Sequence, residues 1–195
     1  MNVAIVGATG YGGIQAVNLL KKNKKHKISF LGGNKTSGSK WNENFPFISL
    51  DNDPYIENIS IENISRKADI ALLCLPNGLS STLTRKLLDK GIKVIDLSAD
   101  YRYKSLDEWK KVYSKEASIY KRSDDDLCKE AIYGLPELNK EAISKARLIS
   151  CPGCYPTSAL IPLVPYLSQG IIENDGIVID SKSGTSGGGR EPNQK

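Results

Sequence analysis

Short continuous runs of apolar residues alternate along the first two thirds of the chain with longer stretches whose apolar positions recur every three or four residues. Residues 3–6, 28–31, 70–75, 94–97 and 147–149 are runs of the kind that form buried strands. Between the first two, Ile14, Val17, Leu19 and Leu20 fall on one side of a helix, and Leu79, Leu83, Leu87 and Leu88 do the same between the third and fourth. Strands alternating with helices predict an α/β fold, a Rossmann-type doubly wound parallel sheet. Residues 40–63 break the rhythm and read as loop plus one short strand or helix. After residue 104 the sequence is charged, with helical spacing only at Leu106, Trp109 and Val112. Residues 121–126, Lys-Arg-Ser-Asp-Asp-Asp, read as an exposed loop, 132–138 as turns, and 139–146 as a short helix. A helix over 157–167 and a strand over 177–179 complete the pattern.

Composition narrows the class without changing it. The 195 residues are 39% hydrophobic and 25% charged, enough for a real core in one large domain or one domain and part of a second. There is no basic leader at the N-terminus, and Pro162 and Pro165 interrupt the most apolar later run. No membrane segment or secretory route is expected, so the localisation expected is cytoplasmic, with Cys74, Cys128, Cys151 and Cys154 as free thiols. The net charge of +5 draws visibly on Lys21, Lys22, Lys24, Lys25 and Lys27 around His26. Cations at a helix end complement its dipole, and the run has no aromatic residues, so no nucleic-acid partner is expected. The acidic triplet lacks a second cluster of ligands, and no metal is expected.

The candidate chemistry lies in loops that follow strands. Gly7, Gly10 and Gly13 have the spacing of a dinucleotide loop: a tight turn, room for a pyrophosphate and close helix packing. After the second strand, where an NAD enzyme carries an acidic residue for the ribose, the chain reads Gly32-Gly33-Asn34-Lys35. This favours NADP(H), with Lys35 either on the 2′-phosphate or simply solvated. Pro76-Asn77-Gly78 either touches the cofactor or is an ordinary turn. Asp100 and Arg102, near the same edge, are either a structural pair or contacts for an acidic substrate. In Ser150-Cys-Pro-Gly-Cys-Tyr-Pro-Thr157, Pro156 suits a first helical turn, which puts Cys154 at a helix start. Free N–H groups and the helix dipole there favour a nucleophilic thiolate, against the alternative of a buried structural cysteine.

Six motifs carry a resemblance over essentially the whole chain: GATGYGG at 7–13, LPNG at 75–78, DLSADYR at 96–102, YGLPEL at 133–138, PGCYPT at 152–157 and SGTSGGGR at 183–190. On these the sequence resembles the N-acetyl-gamma-glutamyl-phosphate reductases, NADP-dependent enzymes of arginine biosynthesis. The resemblance implies Cys154 as nucleophile toward a small acyl-phosphate substrate. It implies cofactor contacts from Gly7, Thr9, Gly10, Tyr11, Gly12, Gly13, Lys35, Pro76, Ser183 and Gly184, with Arg102 and Asp100 as substrate candidates. It implies a Rossmann domain over 1–150, and over 151–195 the beginning of an α+β catalytic and dimerisation domain.

Cys151 departs from that family, which usually has asparagine there. The family's histidine general acid/base falls beyond Lys195, so the chain looks like the N-terminal portion of the enzyme, expected to bind NADP weakly and to turn over little alone. A homo-oligomer is expected only for a complete chain. A related acyl-phosphate reductase of the aminoadipate type, and a non-catalytic NADP-binding module, stand as alternatives.

Overall fold

A computed structural model describes residues 1–189. The elements are β1 (Asn2–Val6), α1 (Tyr11–Leu20), β2 (Lys27–Gly32), α2 (Trp41–Asn44), α3 (Ile61–Lys67), β3 (Ile70–Leu73), α4 (Ser81–Asp89), β4 (Lys93–Asp96), α5 (Leu106–Val112), α6 (Ser114–Ile119), α7 (Asp125–Glu130), β5 (Ile132–Tyr133), α8 (Pro136–Lys145), β6 (Leu148–Ser150) and α9 (Cys154–Ser168). The six strands form one sheet in the order β2-β1-β3-β4-β6-β5, and every pairing is parallel. Each strand therefore delivers its following loop to the same, carboxyl edge. The order reverses between β1 and β3, the position at which open α/β sheets bind ligands.

Both faces of the sheet carry core. On one, Ala4, Val6, Leu73, Val94 and Leu148 pack against Leu87, Trp109 and Leu127. On the other, Val3, Ile5 and Leu31 meet Val17, Trp41 and Ile56. β1 reads as a continuous apolar run because it is covered on both sides. The irregular stretch after β2 is organised by Trp41, which is fully buried and donates its indole N–H to the Ile48 carbonyl at 2.7 Å.

Four expectations change. The segment 132–138, expected as turns, holds the edge strand β5 and the start of α8. The segment around Arg122 is not an exposed loop: the Arg122 side chain is only 2% exposed and pairs with Asp124 at 3.0 Å, while Asp125 and Asp126 open α7. A planar guanidinium can be buried because it stacks, here 4.4 Å from the Trp109 ring and 4.9 Å from Tyr101. The strand over 177–179 does not form; Val178 is 92% exposed, and the segment pairs with no strand among the described residues. The helix expected over 157–167 starts three residues earlier, at Cys154, and runs through both internal prolines. No helix among the described residues is long and apolar enough to cross a membrane.

Candidate active site

The loops after β1, β3, β4 and β6, four neighbouring strands, meet at the carboxyl edge. In the first, glycine is required for two separate reasons. Gly7 has φ +82°, and a Cβ there would stand 2.3 Å from the Cys74 carbonyl oxygen. A Cβ at Gly13 would stand 2.2 Å from the Gly7 oxygen, so this glycine lets α1 close against the loop. Cβ atoms at Gly10 and Gly12 would meet nothing nearer than 3.6 and 3.9 Å, so the outer rim of the loop is open. Gly10 caps α1 without any side-chain bond, and no acidic residue occupies the first turn. An uncapped helix start behind an open glycine rim fits the pyrophosphate of a dinucleotide. Thr9 reaches toward the loop after β2, its methyl 3.3 Å from the position of a Gly33 Cβ, and Lys35 is exposed just beyond.

After β3, Pro76 is exposed and Gly78 takes φ +86°. The ring of Tyr120 lies where a Gly78 Cβ would be, 2.1 Å from the ideal position. Asp100, from the loop after β4, accepts from the Gly78 N–H at 2.5 Å and the Ser81 N–H at 2.9 Å. It is completely buried, and burial raises its pKa against those two hydrogen bonds. Each Asp100 carboxylate oxygen thus faces a backbone amide rather than open space. Asn77 answers in the other direction, its Oδ1 accepting from the Ala99 N–H at 2.9 Å.

Arg102 is half-buried and turns toward the loop after β6. Its Nε donates to the Cys151 carbonyl at 2.9 Å and its Nη2 to the Leu97 carbonyl at 3.2 Å, while Nη1 lies 3.2 Å from the position of a Gly153 Cβ. Cys154 is the first residue of α9, behind the N-cap Gly153, and it is exposed. Its Sγ lies 3.9 Å from the Ser183 hydroxyl, which brings the later serine–glycine motif to the thiol. Arg190 of that motif lies outside the described residues.

The other cysteines differ in kind. Burial pushes Cys74 up to about 12, with Cys151 and Asp96 adding to it, and Cys151 up to about 11, with Asp96 adding and Arg102 opposing. Cys128 is buried beside Arg122 and raised by that burial. Cys154 alone among them is exposed. His26, the chain's one histidine, precedes β2 and so lies at the opposite edge of the sheet. Sequence reasoning missed Tyr120 and Arg122; neither sits in a recognisable motif, and only the fold brings them to Gly78 and Asp100.

Comparison with known proteins fits this arrangement. Residues 2–146 match the semialdehyde dehydrogenase NAD binding domain and residues 154–195 the semialdehyde dehydrogenase dimerisation domain. The chain belongs to the semialdehyde dehydrogenase family. Within it, the N-acetyl-gamma-glutamyl-phosphate reductase of Prochlorococcus marinus strain AS9601 is 90% identical over 195 residues, all of this chain and 56% of that protein. The same-named protein of strain MIT 9515 is 77% identical with the same coverage. The chain thus spans about half the length of the curated relatives it matches. Aspartate semialdehyde dehydrogenase II complexed with ASA from Vibrio cholerae shares the fold at TM-score 0.58 and 23% identity, over 86% of this chain and 46% of that one. The Candida albicans aspartate semialdehyde dehydrogenase with NADP does so at 0.56 and 17%, over 86% and 47%.

Proposed function

We propose that the chain supplies the cofactor site and the nucleophile of an NADP-dependent N-acetyl-gamma-glutamyl-phosphate reductase, with residues 1–150 as the nucleotide-binding domain and the catalytic domain beginning at 151. The observation that carries this is the position of Cys154: an exposed thiol on the first turn of α9, at the same sheet edge as the open glycine loop. In this reading Gly7, Thr9, Gly10, Tyr11, Gly12, Gly13 and Pro76 line the dinucleotide, and Lys35 meets the 2′-phosphate. Ser183 and Gly184 close the site over the thiol, and the Nη1 of Arg102 faces the substrate.

Bound NADPH would supply the hydride. The Cys154 Sγ attacks the acyl carbon, the carbon–oxygen bond to phosphate breaks, and phosphate leaves with its electron pair. Cys154 then holds the acyl group as a thioester. After reduction the carbon–sulfur bond breaks, the thiolate returns to Cys154 and the semialdehyde departs. Free backbone N–H groups at the start of α9 favour negative charge on sulfur at both ends of the cycle.

The assay is the reverse reaction on the complete gene product: reduction of NADP with N-acetylglutamate semialdehyde and phosphate. Cys154→Ser is expected to lower kcat by at least about a thousandfold, with Cys151→Ser close to wild type. Equal activity in Cys154→Ser would remove the nucleophile from this reading.

A further inference from the structure

We propose that the loop from Leu97 to Arg102 is a bracket that fixes the spacing between the cofactor loop and the nucleophile, with Asp100 and Arg102 as its two positioning residues. The inference rests on the roles given above to Pro76 and Cys154. One arm of the bracket is Asp100, which ties down the Gly78 and Ser81 amides, together with the Ala99 N–H on Asn77. The other arm is Arg102, whose fork spans the Cys151 and Leu97 carbonyls and packs against Gly153, the N-cap of the helix that begins with Cys154.

The loop between the arms is stiff. Ser98 donates its N–H and hydroxyl to Asp96, and its hydroxyl oxygen accepts the Asp100 N–H at 3.1 Å. From behind, Arg122 Nη1 donates to the Asp100 carbonyl at 2.6 Å, while its other donors meet Asp124 and its plane stacks between Trp109 and Tyr101. Tyr120 closes the far side of Gly78. Every polar atom of Asp100 is thus committed to position rather than to ligand. A misplacement of ~1 Å between reacting groups costs on the order of a hundredfold in rate, which gives such a bracket its value.

Two variants separate the arms through two functional readouts, the Kd for NADPH by fluorescence titration and the rate of Cys154 alkylation by iodoacetamide followed by peptide mass, with hydrogen exchange as a third, structural one. Asp100→Asn removes one of the two acceptors. It is expected to raise the Kd about tenfold and to speed hydrogen exchange at 78–81, with the alkylation rate within about twofold of wild type. Arg102→Lys keeps the charge but loses the fork. It is expected to change the alkylation rate at least about fivefold and speed exchange at 151–154, with the Kd within about twofold. A purely electrostatic Arg102 would be rescued by lysine, and that result overturns the proposal. So does a pair of variants that each move both readouts by the same factor, or that move neither. If Asp100→Asn fails to fold, Asn77→Ala probes the same arm with the same expectation. Failure of the functional reading is distinguishable: the wild type would then bind no NADPH, while hydrogen exchange would still decide whether each arm holds its own loop.

Discussion

Asp96 closes β4 with no exposed surface, accepting both the N–H and the hydroxyl of Ser98, and burial raises its carboxyl pKa to about 6. The native state therefore holds this proton more tightly than the unfolded chain, where the pKa is ~4. Its contribution to stability is present at low pH and is lost as pH rises from about 4 through 6. Asp100, also raised by burial, acts in the same direction, while the exposed Asp125 and Asp126, held low by their partners, act in the opposite one. Urea denaturation of Asp96→Asn should therefore show a gain of ~2 kcal/mol at pH 7.5 that shrinks toward pH 4; a gain independent of pH would contradict the assignment. Two further substitutions test the glycine rim. Gly7→Ala meets both a positive φ and the Cys74 carbonyl, and should cost at least ~2 kcal/mol in a thermal or urea melt. Gly12→Ala meets only the Leu97 side chain, at an ordinary contact distance of 3.9 Å, and should melt near wild type while weakening NADPH binding. Lys35→Ala should weaken NADPH about tenfold and leave NADH unchanged, as removal of one charge-assisted phosphate contact requires.

The elements with plain periodicity were legible in the sequence: β1, α1, β2, α4 and β4 form where apolar spacing puts them, and their parallel order follows from alternation of strand and helix. The start of α9 was legible only in part. Pro156 marks a first turn, but the helix opens two residues before it because Gly153 takes the extended N-cap conformation. What could not be read was burial of charge. Lys121 through Asp126 looks solvated residue by residue, and Arg122 enters the core only because α5 presents Trp109 and the loop after β4 presents Tyr101 on either side of it. The Asp100 contacts were hidden for the same reason, since the partners are backbone amides 22 and 19 residues away. Arg122→Met should destabilise by about 3 kcal/mol, because Asp124 loses its cation and keeps only the Tyr101 hydroxyl, while the Asp100 carbonyl loses its Arg122 donor; adding Asp124→Leu removes the uncompensated charge but orphans the Tyr101 hydroxyl, and should restore only part of the loss. A single variant as stable as wild type in urea would show that the pair is dispensable.

Across the molecule, apolar surface is unevenly covered. α9 buries no residue, and Ile161, Tyr166, Ile171, Val178 and Ile179 are exposed along and after it. On the sheet, Leu72, Ile95 and Ile149 share a face with Val3 and Ile5 in register, yet stay half-buried because α1 covers only the β1–β2 side. Patches of this extent drive association, so the 195-residue chain should sediment as a concentration-dependent mixture rather than as a monomer. The lysine run lies around the amino edge near His26, at the opposite end of the strands from the site. The central claim, that this edge presents an acylatable thiol, reduces to one measurement: intact-protein and peptide mass after mixing the chain with N-acetylglutamyl phosphate without cofactor. The account predicts one N-acetylglutamyl adduct, on Cys154, absent from Cys154→Ser and released by hydroxylamine. An adduct that forms on Cys151 instead, or persists in Cys154→Ser, would contradict it.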